Sequence, residues 1–250
     1  MDCLSHADTA LPTLYLHRWR AWLPERTGED TFACVITDEK PAASSVPALL
    51  RRRLTPLGRA VCTLLGDMGA HERTAMPVLH ASRHGDGHRP LDMLDTLFEG
   101  EPLSPARFGL SVHNAVLGVY SIAFDNHASM AALAAAGEEF EALLSEAQGY
   151  LAEGHESIML ILTDSPVPDR YRIQTQAPKA PSAMLMELSL SPASGAVRLQ
   201  AHSVDMPDDG MQIVTPPLLT DWLMGRCDLI TRAPRLCWQV ITGMEIPHTG

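Results

Sequence analysis

No stretch of this chain stays apolar for the roughly 20 residues that a membrane-crossing helix needs, so a spanning protein is excluded. The opening residues, MDCLSHADTALP, have no basic start and no apolar block, so no secretory signal is expected and the cytoplasm is the default location. Basic residues are scarce: 19 Lys and Arg against 30 Asp and Glu give a net charge of −11. That balance argues against nucleic acid or an anionic membrane as the main partner. The five cysteines, Cys3, Cys34, Cys62, Cys227 and Cys237, form no C-x-x-C pair, which fits neither a zinc ribbon nor a disulfide framework. Most are expected as small buried hydrophobes in a reducing compartment, with a nucleophilic role for one of them left open. Internal repeats and low-complexity tracts are also lacking.

What remains is an ordinary globular balance, 46% hydrophobic and 20% charged, over 250 residues. That length makes one large domain or two small ones, with ample chain to bury a core. After a frayed first dozen residues, Leu14 to Pro24 alternates like a strand. Ala48 to Leu65 reads as helix, interrupted or restarted at Pro56. Pro77 to Ser82 is a short strand, and PLDMLDTLFEG a helix stopped by Gly100. Ser104 and Pro105 open a further helix, within which His113 and Asn114 are expected as a buried pair. Its β-branched and aromatic second half is expected to turn into a strand near Gly118. The clearest helix is Gly137 to Glu153: Phe140, Leu143, Leu144, Ala147 and Leu151 share one face and Gly154 follows. SIMLIL, Ser157 to Leu162, suits a strand covered on both faces. AMLMELSL and AVRLQAH, separated by SPASG, predict a hairpin. A short helix around PPLLTDWLMGRC and a strand LCWQVI complete an α/β layered chain.

Several of these pieces together resemble a known family. RRRL at Arg51 to Leu54, VLHASRHGDGHRPLDML at Val78 to Leu94 and LSPARFGLSVHNAVLGVYSIAF at Leu103 to Phe124 resemble the N-terminal half of the β-ketoacyl synthases. LTDSPVP at Leu162 to Pro168 completes the likeness, and AMLMELSL with AVRLQAH looks like the strand pair that closes a ketosynthase subunit. The resemblance implies a thiolase-like layered α/β fold, truncated relative to a full-length ketosynthase. One domain over residues 1–250 is expected, with 51–168 as the ketosynthase-like half and 180–250 as closing strands and a short helix. Within the superfamily the chain is most similar to short ketosynthase-like proteins of aryl polyene and xanthomonadin-type clusters. These imply a chain-length-factor-like role beside a full-length ketosynthase, in a heterodimer elongating acyl chains held on an acyl carrier protein. The carrier would dock mainly through that partner.

A decarboxylating ketosynthase needs an acyl-holding cysteine at a tight turn, an oxyanion hole and a pair of basic groups. Counted from Asn114 of the N-A-x-x-G-x-x-S-I stretch, the nucleophile position of the family falls at Gly137, and counting back from Gly154 agrees. Glycine has nothing to acylate. Glu138 and Glu139 follow it, suiting a helix dipole but repelling a thiolate or an oxyanion. No cysteine lies between residues 63 and 226, and Ser129 and Ser145 are too far along the chain to occupy the turn. Most of the second ketosynthase half, which supplies the paired histidines, is missing; His202 falls in a strand and His248 in the tail. The resemblance therefore implies no catalytic residue, no cofactor and no metal.

Other residues admit more than one use. His80, His84 and His88, with Asp86 and Asp92, have a metal-like spacing, but Gly85 and Gly87 break any helix that would align them, which favours a loop. Arg51 to Arg53 form a solvated helix face or a contact to an acidic partner. Met184 and Met186 suit a core strand, or an acyl tunnel. Candidates for a dimer seam or acyl pocket are Phe108, Leu110, His113, Asn114, Val116, Leu117, Tyr120 and Met130. Two alternatives stay open: a small active ketosynthase or acyltransferase using Cys62, Cys227 or another nucleophile, and a homodimeric acyl-binding scaffold.

Overall fold

The computed structural model describes residues 13–26, 32–69, 76–203, 213–232 and 236–241. The expected frayed start, Cys3 and His248 lie outside the described residues. The strands are β1 (Leu14–Trp22), β2 (Val35–Ile36), β3 (Val78–Ser82), β4 (Met130–Leu133), β5 (Ile158–Asp164), β6 (Ser182–Ser189), β7 (Val197–Ser203), β8 (Leu229–Thr231) and β9 (Leu236–Ile241). The helices are α1 (Ala48–Arg51), α2 (Pro56–Asp67), α3 (Arg89–Phe98), α4 (Pro105–Phe108), α5 (Ala115–Phe124), α6 (Glu139–Ala152), α7 (Asp169–Thr175) and α8 (Pro216–Leu223). Among the described residues the strands form one mixed sheet in the order β4-β3-β5-β6-β1-β7-β9-β8, with β2 beside β1.

β5 shows why the sheet is covered on both sides. Every residue of it is buried. Because side chains alternate along a strand, Ile158, Leu160 and Leu162 pack with Phe140, Leu143 and Leu144 of α6 and Leu219 and Trp222 of α8. Met159 and Ile161 point the other way, to Val61, Leu64 and Leu65 of α2 and Leu117 and Tyr120 of α5. The continuous apolar run in the sequence is therefore two half-runs serving two cores. β3 and β4 run parallel to β5, whereas β6 runs antiparallel to it. Met184 and Met186 are buried core, as expected of a central strand. Helix breaks fall where predicted: α1 ends ahead of Pro56, whose α2 is capped by Thr55 accepting from the Gly58 N–H.

Three expectations are corrected. The segment after Gly118 is helix, not strand: α5 runs unbroken from Ala115 to Phe124, ending at Asp125 in the left-handed region. Its apolar residues surround the helix, so periodicity carries no signal, and packing on α2 overrides the weak strand preference of Val, Tyr and Ile. His113 and Asn114 lie ahead of that helix rather than inside one, with Asn114 at its N-cap and exposed. β6 and β7 are not a hairpin. β1 lies between them, with Leu16 paired to Leu188 on one side and Val197 on the other. The SPASG turn exists, with Gly195 at φ +79, but it links strands two places apart.

Gly87 sets how closely the loop after β3 can approach the segment after β5. A Cβ on it would fall 2.3 Å from the Pro166 carbonyl oxygen. Gly87→Ala is expected to lower unfolding stability by about 1–3 kcal/mol, the usual range for overpacking, in a urea titration. An unchanged midpoint would show that the loop yields freely.

Candidate functional site

The carboxyl ends of β3, β4 and β5 converge on one edge of the sheet, where open α/β sheets place their ligands. The loop after β4 contains exposed Ala136 at φ +52 and buried Gly137 at φ +108, a turn leading directly into α6. Glu139, the first residue of α6, is 3% exposed and folds back over that turn. Its carboxylate accepts the Gly137 N–H at 3.1 Å from both oxygens and the Ala135 N–H at 3.1 Å. A Cβ at residue 137 would clear its neighbours, meeting Ile213 at 3.6 Å and Arg232 Nη1 at 3.8 Å, but the φ of +108 strains any residue other than glycine there. The turn carries no nucleophilic side chain at residue 137, and its Ala135 and Gly137 N–H groups are satisfied by the chain's own carboxylate. From the sequence Glu139 is a charge that suits the helix dipole and repels an anion at the turn; its hydrogen bonds to the turn N–H groups come from the fold. Its position two residues after a turn glycine was the signal for this role.

On the α2/α5 face a narrow cleft of about 60 Å³ opens between α2, the loop after β3 and the segment ahead of α5. Leu54, Leu57, Val61, Leu110, Val112 and Val116 give it apolar walls, and His80, His113 and Thr163 its polar floor. His80 is buried on β3. A carbonyl can only accept, so its Nδ1–H donates to the His113 carbonyl at 3.2 Å, leaving Nε2 to accept from Thr163 Oγ1 at 2.9 Å. Burial pushes its pKa down to about 4, further helped by the nearby His113 ring and opposed by the carbonyl bond. The His113 imidazole lies against Gly85, where a Cβ would approach its ring atoms to 3.2 Å, and its Nε2 is buried without a partner. Arg89 ties the rim together, donating to Leu110 O at 3.0 Å and pairing with Asp86 at 3.1 Å.

The structure divides the sequence candidates. Leu110, His113 and Val116 meet in the cleft. Phe108 and Asn114 are exposed, and Met130 is half-buried on the outermost strand, β4. Leu117 and Tyr120 are core residues instead; the Tyr120 hydroxyl accepts from Asn126 Nδ2 at 3.2 Å in the interior. Thr163 and Arg89 were missed as site residues, and His80 was weighed only for metal binding, because the partners that define them are distant in sequence. The three spaced histidines have separate fates: His80 as above, His84 paired to Asp164 at 3.3 Å, and His88 exposed ahead of α3. Among the described residues no group of three or more His, Cys, Asp or Glu is placed to hold a metal ion.

A family model described as the β-ketoacyl synthase N-terminal domain matches residues 19–221. The chain belongs to this β-ketoacyl synthase family. Among solved structures it is similar to a ketosynthase (ApeO) in complex with its chain length factor (ApeC) from Xenorhabdus doucetiae. That match has 22% identity and a TM-score of 0.70, covering 91% of this chain and 99% of the matched one. It is also similar to a β-ketoacyl synthase from Burkholderia phymatum, at 12% identity and TM-score 0.48, covering 70% of this chain and 52% of that one. The ishigamide ketosynthase/chain length factor matches at 16% identity and TM-score 0.45, covering 68% and 52%. This chain thus spans about half the length of the latter two. A comparison with curated proteins finds no match. At these identities the likeness establishes the fold, which is that of the ketosynthases.

For a ketosynthase-family chain the state of its thiols matters. Burial pushes the Cys62 thiol up to about 12. Burial likewise raises Cys34, Cys227 and Cys237, the last two with help from nearby aspartates. No described thiol is tuned toward a thiolate at neutral pH. No helix among the described residues is long and apolar enough to cross a membrane.

His80 makes a pH signature. Its pKa is about 4 when folded, against about 6.5 when free. Below 6.5 the unfolded chain binds the proton that the folded chain refuses, so stability falls as pH drops from 6.5 toward 4 and is intact above 6.5. The effect is on the order of 3 kcal/mol at its full extent. Urea midpoints measured across that window are expected to decline less steeply in His80→Gln than in the parent; identical slopes would remove His80 from the acid limb.

Proposed function

We propose that this chain is the non-catalytic, chain-length-factor-like partner of a full-length β-ketoacyl synthase, elongating acyl chains on an acyl carrier protein in an aryl polyene or other fatty-acid-like pathway in the cytoplasm. One observation carries the reading: residue 137, where the motif count puts the family's nucleophile, is a glycine, and its own backbone N–H is held by the Glu139 carboxylate. A carboxylate there opposes both a thiolate and an oxyanion, so restoring a cysteine alone would not restore an acyl-enzyme.

Other features support association. β4 is an outermost strand with an open edge beside it, a natural site for pairing. Phe98 at 94%, Ile122 at 71% and Phe108 at 60% exposure present apolar side chains that a partner would cover. The solved ketosynthase–chain length factor complex contains a matched chain of this chain's size. The cleft of Leu110, His113 and Val116 is the place where side-chain bulk would limit an acyl chain reaching in from the partner. The carrier protein would dock mainly on that partner, and no metal or cofactor is needed. The alternative of a small active enzyme is disfavoured by the raised thiols.

Co-expression with the ketosynthase encoded nearest to it is expected to give a 1:1 complex by native mass spectrometry. Val116→Trp should shift product length by one or two elongation steps, since one methylene of pocket is worth about 1–3 kcal/mol. Tyr120→Ala should instead destabilise the fold by about 3–5 kcal/mol, as truncating a buried aromatic does. A stable homodimer that takes up an acyl group on one of its own residues would overturn the reading.

In Gly137→Cys, alkylation by iodoacetamide at pH 7 is expected to be at least tenfold slower than in Gly137→Cys with Glu139→Gln. Equal rates would show that Glu139 leaves position 137 electrostatically open.

A further inference from the structure

Helix α3 is fastened to the molecule by one buried residue, Met93. Leu91, Leu94 and Phe98, spaced i, i+3 and i+7, share one side of it, with Leu97 next to them. Leu94 is 60%, Leu97 53% and Phe98 94% exposed. An amphipathic helix normally turns such a stripe to a core, and the described residues of this chain leave it uncovered.

One residue further on, Asp92, Asp95 and Glu99 repeat the same spacing, which sets an acidic stripe beside the apolar one. Asp95 is already engaged: Arg170 of α7 donates to its two oxygens at 2.8 and 2.7 Å and ties α3 down. Asp92 and Glu99, with Glu101 just past the helix, are exposed and form no ion pair among the described residues. Of the nearby bases, Arg89 is paired with Asp86 and Arg172 with Asp169, each at 3.1 Å. Arg53 borders the narrow cleft, and Arg83 donates to the Thr175 carbonyl at the end of α7. On α4, which lies beside α3, exposed Arg107 has no ion pair among the described residues. Free carboxylates on Asp92, Glu99 and Glu101 therefore outnumber the free Arg107 guanidinium, and the rim of the apolar stripe is acidic. A second copy of this chain, at net charge −11, would set acid against acid there.

We infer that a helix of the ketosynthase subunit covers α3, laying an apolar stripe on Leu94, Leu97 and Phe98 and placing Lys or Arg side chains beside Asp92 and Glu99. The inference rests on the reading of this chain as a ketosynthase partner and adds the chemistry that the partner's contact surface carries.

The 1:1 complex with the ketosynthase encoded nearest to this chain is the material, and its affinity is measured by surface plasmon resonance. Leu94→Ser with Phe98→Ser removes two exposed apolar side chains and is expected to weaken binding roughly tenfold, with an unchanged thermal melt. Glu99→Lys with Glu101→Lys is expected to do the same through charge alone. Raising NaCl from about 50 mM to about 500 mM should weaken the parent complex more than that charge variant. Glu153→Lys, at an exposed acid that ends α6, should bind as the parent does. A photo-crosslinker in place of Leu97 should mark a ketosynthase helix that carries Lys or Arg. Parent-like affinity in either double variant, or a crosslink to a segment without basic residues, would overturn the inference and leave the complex, and so the reading, standing. A parent chain that forms no complex with the ketosynthase would overturn both.

Discussion

Residues 158–164 alternate between two cores, and that double burial of β5 organises the rest of the molecule. A strand covered on both faces needs a helical layer on each, so α6 and α8 must take one side and α2 and α5 the other. It also needs hydrogen-bonded neighbours on both edges, which β3 and β6 supply. With β3 and β4 parallel to β5, three strand ends and three loops are delivered to the same edge. The turn at Gly137, the His84–Asp164 pair and the mouth of the His80 cleft are all consequences of that convergence.

At this edge the same electrostatic rule gives opposite outcomes on the two faces. On the α6 side, Glu139 is tolerated at 3% exposure because backbone N–H groups meet its carboxylate. On the α2 side, His80 has only a carbonyl and a hydroxyl as partners, neither of which compensates a full positive charge, so it stays neutral. At one end of the sheet, then, a buried carboxylate is held by backbone N–H groups on one face and a neutral imidazole by a carbonyl and a hydroxyl on the other.

Much of this was legible in the sequence wherever the determinant was local. The face shared by Phe140, Leu143, Leu144, Ala147 and Leu151, the Pro56 restart and the buried run at β5 each follow from patterns within a few residues. Where the pattern was silent, expectation failed: α5 is apolar all around, so neither period stood out, and its residue preferences pointed to the wrong structure. Leu117 and Tyr120, candidates for a dimer seam or an acyl pocket, face the interior of this chain.

The sequence by itself determined the layered α/β class, the family resemblance and the absence of a nucleophile at residue 137, because each depends on residue identity or short-range spacing. Only the tertiary structure decided that β1 separates β6 from β7, since pairing across more than 160 residues leaves no local trace. It also decided that Glu139 turns back onto Gly137 and that His80 bonds to Thr163, because a side chain's partners depend on which backbone groups folding brings within about 3 Å of it.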